Sequence, residues 1–90
     1  MPTSSELNVR VRLPDHVALH ARPAGSFVRE AARCSAAIQV AANGRTANAK
    51  SILEVLGLGA TGGTELCLSA SGPDAAEALD RLSQLVAGLS

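Results

Sequence analysis

Aromatic side chains are nearly absent from this chain, with Phe27 the one aromatic in 90 residues. A platform that stacks single-stranded nucleic acid needs several exposed rings, and one ring on an apolar helix stripe cannot supply it. Net charge is also missing: eight basic residues balance eight acidic ones, so no overall field draws the molecule to nucleic acid or to an anionic membrane. No apolar run approaches the roughly 20 residues that cross a bilayer. Met1-Pro2-Thr3-Ser4-Ser5 lacks the basic start and apolar stretch of a secretory signal, so the expected address is the cytoplasm. Cysteine is scarce, and Cys34 and Cys67 read as small core residues rather than as a disulfide.

What the chain does have is apolar surface to bury. Hydrophobic residues make up 47% of it, enough for one small domain over residues 1–90, with 1–5 expected to be flexible. Leu7, Val9, Val11 and Leu13 alternate with Asn8, Arg10 and Arg12, the period of a strand with one buried face. Pro14 and Asp15 end it, and a loop carries His16 to His20 up to Pro23, a residue tolerated only in a helix's first turn. Ala24, Phe27, Val28, Ala31 and Ala32 then fall at helical spacing. A short strand around Ile38 and Val40 follows, and Asn43-Gly44 supplies the pair that a tight hairpin turn with positive φ demands, so Arg45 to Ala49 is the return strand.

Ser51-Ile52-Leu53-Glu54 fits a capping box, in which the serine accepts from the third helical N–H and the glutamate reaches back. The short helix it opens carries Ile52, Val55 and Leu56. A glycine-rich break leads to a strand from Thr64 to Ala70, and Gly72-Pro73-Asp74 opens a last helix with the stripe Ala75, Ala78, Leu79, Leu82, Leu85, Val86 and Leu89. The order β-α-β-β-α-β-α predicts an α+β open-faced β-sandwich. Its four strands form a mainly antiparallel sheet, with three helices on one face and water on the other.

His20 stands where a loop meets a helix whose first N–H groups lack internal partners. Such a terminus attracts anions. Backbone N–H groups and the helix dipole can hold a phosphate there, Arg22 can pair with its oxygens, and neutral imidazole is a competent nucleophile. On spacing alone, an ordinary loop histidine beside a solvated arginine explains the pattern equally well. His16 and Asp15 lie near His20, but a loop spacing of this kind guarantees no shared face and no further ligand pair is evident, so no metal site is expected.

Leu19-His20-Ala21-Arg22-Pro23-Ala24 resembles the phosphorylation-site signature of the HPr family of histidine-containing phosphocarriers in the sugar phosphotransferase system. Lys50-Ser51-Ile52-Leu53 followed by Val55-Leu56-Gly57-Leu58-Gly59 resembles that family's second signature. The likeness runs from about Glu6 to Leu89 and matches the family's open-faced sandwich. It implies a carrier rather than an enzyme, with no cofactor: enzyme I, charged by phosphoenolpyruvate, loads the δ1 nitrogen of His20, Arg22 balances the added charge, and enzyme IIA takes the group. It also implies that Ser51 occupies a position where many members are phosphorylated by a serine kinase, although a capping role accounts for a serine by itself.

The same resemblance suggests that enzyme I and enzyme IIA dock on Leu53, Leu56 and Leu58, of which periodicity leaves at least one facing outward. A carrier that meets two partners in turn on one face is expected to be a monomer. Where the family usually has glycine two residues before the histidine, this chain has Ala18, which would be strained at positive φ. A paralogous carrier of a nitrogen-linked or dihydroxyacetone branch, and an interaction module never phosphorylated at His20, are the competing readings.

Overall fold

A computed structural model describes residues 6–89; the expectation of flexibility at 1–5 falls outside those residues. The elements run β1 (Leu7–Arg12), α1 (Ala21–Ala32), β2 (Ala37–Ala42), β3 (Arg45–Asn48), α2 (Ile52–Leu56), β4 (Glu65–Ser71) and α3 (Ala75–Ala87). They form one four-stranded sheet in the order β1-β4-β2-β3, and every neighbouring pair is antiparallel. Consequently β1 and β2 run parallel with β4 between them, and β3 and β4 run parallel with β2 between them. Each of these connections carries a helix, α1 in the first and α2 in the second. Parallel strands require such a crossover, whereas β2 and β3 need only the Asn43-Gly44 turn. Both turn residues have positive φ, 55° and 75°, as the tight hairpin demands.

Register decides which face is buried. Val9, Leu68 and Val40 align across three strands, and Val40 pairs with Ala47 on the fourth; together with Leu66, Ala70 and Ile38 these side chains form the sheet's side of the core. Phe27 of α1, Val55 of α2, and Leu79, Leu82 and Val86 of α3 close over them. One residue out of phase, Arg10 aligns with Cys67, and Cys67 with Ala41, on the wet face. Cys67 is therefore exposed, a correction to its reading as a core residue, while Cys34 is buried, and both thiols are free. Burial, aided by the nearby Asp74 and Glu30 carboxylates, pushes the Cys34 thiol up. Among the described residues no helix is long and apolar enough to cross a membrane.

Asp74 sits at the N-cap of α3, but its carboxylate does not cap that helix. It turns to the α1–β2 connection, where Oδ2 accepts from the Ser35 N–H at 2.9 Å and Oδ1 from the Ala36 N–H at 2.7 Å. These donors, Ser35 first, hold its carboxyl below the ordinary range, with some help from the Lys50 charge. A carboxyl whose pKa is lower folded than unfolded adds stability above its unfolded pKa, and that stability is lost as pH falls through the folded value. Asp74→Asn is thus expected to be less stable than wild type at neutral pH, with the gap narrowing as acid protonates the wild-type carboxyl. Urea unfolding across the acid range checks this, and a gap that does not change with pH would refute it.

Candidate functional site

Three buried side chains pin the segment between β1 and α1: Leu13, Val17 and Leu19. The residues between them face water. Leu13 N–H donates to Thr64 O at 2.9 Å, and Leu13 O accepts from Gly63 N–H at 3.1 Å. Val17 N–H closes a turn on Pro14 O at 3.1 Å, and Leu19 N–H donates to Ala60 O at 2.9 Å. The loop is thereby fastened to the α2–β4 connection at both ends. Ala18 does not have positive φ: among the described residues other than glycine only Asn43 does. The strain expected at Ala18 is absent, because the backbone turns here without a left-handed residue.

His20 is the N-cap of α1, in extended conformation (φ −126°, ψ −171°). Its carbonyl accepts from Ala24 N–H at 2.7 Å, and its own N–H donates to Ala18 O at 2.9 Å. Its side chain makes no capping bond and is exposed. Pro23 lies in the first turn, where its missing N–H costs no hydrogen bond, so Ala21 and Arg22 contribute the first-turn N–H groups that the helix cannot satisfy. Arg22 is exposed in the same turn, which holds no acidic residue. An exposed imidazole thus stands at the positive end of a 12-residue helix beside two amides and a guanidinium, a set able to receive an anion carried on the ring. Asp15 turns away to Arg12 at 3.2 Å, and among the described residues no three metal-binding side chains gather.

Ser51 caps α2, its Oγ accepting from Glu54 N–H at 3.3 Å. The expected box is only half formed: Glu54 Oε1 accepts from Asn48 N–H at 2.9 Å instead, while Ser51 N–H donates to Asn48 O at 3.0 Å. The three leucines of the proposed docking surface separate. Leu53 is 79% exposed, Leu56 is partly buried against the core, and Leu58 is only 3% exposed. Leu58 is corrected to a core residue, because α2 ends at Leu56 and the chain turns inward beyond Gly57. Ile52, expected on the buried stripe, is 39% exposed and joins Leu53 instead.

Sequence reasoning missed what braces this corner. Asn43 Nδ2 donates to Leu58 O and Gly59 O at 3.2 and 3.3 Å, and an Arg45 guanidinium N–H donates to Gly57 O at 3.1 Å. The hairpin thereby satisfies the orphan carbonyls after α2. The asparagine was visible as a turn former, but its second role depends on a contact that no local pattern encodes.

Residues 7–88 match the family described as "PTS HPr component phosphorylation site". The chain is similar to "Phosphocarrier protein HPr" of Streptomyces coelicolor, at 50% identity over 77% of this chain and 75% of that relative. It resembles the protein of the same description in Vibrio cholerae at 46% identity, covering 76% of this chain and 80% of the relative. Its fold superposes on the crystal structure of a phosphocarrier protein HPr from Bacillus anthracis with a TM-score of 0.87 at 38% identity, covering 91% of this chain and 98% of that one. With its sheet order, its exposed N-cap histidine and these likenesses, the chain belongs to the HPr family of phosphocarriers of the phosphotransferase system.

Proposed function

We propose that His20 accepts a phosphoryl group from phosphorylated enzyme I and passes it to enzyme IIA, the chain acting as a cytoplasmic monomer in sugar uptake. The observation that carries this reading is the exposed imidazole at the N-cap of α1, unencumbered by any capping bond. A lone pair on the ring attacks phosphorus while the bond from phosphorus to enzyme I's donor group breaks and its electrons return to that group. The next acceptor reverses the step. In-line transfer of this kind asks the protein for position and charge balance rather than for covalent chemistry. Arg22 and the Ala21 and Arg22 amides supply the charge balance, and an open site lets the acceptor approach along the bond that must break.

Each partner needs a surface beside His20, and Leu53 with Ile52 offers one. They precede by a few residues the carbonyl of Ala60 that holds Leu19. Enzyme I with phosphoenolpyruvate should load the chain, and enzyme IIA should then unload it. Leu53→Asp is expected to raise the half-saturating concentration for both transfers about tenfold, as for an interface anchor, at unchanged maximal rate. Loading and unloading kinetics of the two forms measure this, and a fall in maximal rate at unchanged half-saturation would place Leu53 outside the docking surface.

A further inference from the structure

The glycine-rich connection between α2 and β4 does more than join two elements. Of its residues, Gly62 lies directly on the loop that leads to His20. A Cβ on Gly62 would overlap the Asp15 carbonyl oxygen, lie 2.6 Å from the carbonyl carbon, and come 3.2 Å from Pro14 O. These are backbone atoms, with no flexible side-chain end that could swing aside. Three hydrogen bonds hold the two segments together around this contact: Leu13 N–H to Thr64 O, Gly63 N–H to Leu13 O, and Leu19 N–H to Ala60 O. The last of them lies one residue before His20.

The two segments are not equally able to yield. The connection is closed on itself, with Thr64 N–H donating to Thr61 O at 3.0 Å and Thr61 N–H donating to Thr64 Oγ1 at 3.2 Å. Buried Ala60 and Leu66 anchor it on either side. Across the contact, Asp15, His16 and Ala18 are exposed. An atom added at position 62 therefore displaces the loop more readily than the connection.

Resting on the carrier reading above, we infer that Gly62 is a positioning residue for phosphoryl transfer: its lack of a side chain lets the 13–19 loop seat against the α2–β4 connection, and this sets where His20 stands over the first-turn amides of α1. Misplacing a reacting group by a fraction of an ångström to an ångström costs rate without costing encounter, so the effect should appear in the maximal transfer rate.

The test compares the full chain with Gly62→Ala and with Leu82→Ala, a core change in α3 that lowers stability away from this contact. Gly62→Ala is expected to shift the His20 amide and ring resonances and to speed exchange of the Leu19 amide about tenfold. It should also lower the maximal rate of loading by enzyme I about tenfold or more at unchanged half-saturating concentration. Folded Leu82→Ala should keep the wild-type rate. Should Gly62→Ala not fold, Thr64→Val loosens the same connection by removing the hydroxyl that holds Thr61, and is expected to move the same resonances. Wild-type His20 signals, Leu19 protection and maximal rate in Gly62→Ala would overturn the inference, as would an equal rate loss in Leu82→Ala. A wild type that enzyme I does not load defeats the carrier reading, while the Leu19 and His20 resonances still decide whether Gly62 seats the loop.

Discussion

His20→Ala is expected to fold and melt like the wild type while accepting no phosphoryl group. The histidine side chain is exposed and makes no capping bond; what starts α1 is the His20 carbonyl accepting from Ala24 N–H, and alanine keeps that bond. Surface substitutions away from caps and core contacts stay within about 0.5 kcal/mol. Function, by contrast, should vanish entirely: the other described histidine, His16, lies outside α1 with no helix amides beside it. Thermal unfolding and a loading assay on the same sample check both halves. A variant that unfolds would show that His20 is structural, and one that still loads would move the acceptor elsewhere.

The largest effect on stability is expected from Phe27→Ala. Phe27 is fully buried and is the largest such side chain in the core. Being the only aromatic residue, it has no neighbouring ring able to lean into the space it would leave. Truncating a buried phenylalanine costs about 3–5 kcal/mol, part from lost transfer energy and part from the cavity. A chain of this length has roughly 5–13 kcal/mol of stability at about 0.05–0.15 kcal/mol per residue, so a third or more of it is at stake. The urea midpoint should fall with the slope unchanged. A loss under about 1 kcal/mol would mean that the site collapses around the gap and that Phe27 is not the centre of the core.

Much of this architecture is legible from period alone. The seven-residue stripe of the last helix, the alternation of Leu66, Leu68 and Ala70, and the Asn43-Gly44 turn all appear in the structure where the pattern places them. Strand order is not legible, because alternation says which face of a strand is buried and nothing about its neighbours. Cys67 shows the reverse case: it lies between Leu66 and Leu68, so the alternation that buries them already exposes it, and the general tendency of cysteine to be buried was the wrong guide.

At the site, His20, Arg22 and Pro23 are readable because a helix start is a local event. Leu58 is not, since helical period ceases to apply once α2 ends. Glu54 escapes for a related reason. A capping box specifies a donor that the glutamate can reach, but the Asn48 N–H, brought near by the end of β3, takes its place. The seating of the His20 loop on Gly62 is a contact between backbones distant in sequence, and no residue pattern announces it.

The central claim is that this chain carries a phosphoryl group on His20, and intact-protein mass tests it most directly. After incubation with phosphoenolpyruvate and catalytic enzyme I, the wild type should gain one phosphoryl group, lose it in acid as a phosphorus–nitrogen bond must, and lose it again on addition of enzyme IIA. No gain in mass, with enzyme I active on another carrier, would contradict the account, and so would a gain that survives acid or persists in His20→Ala.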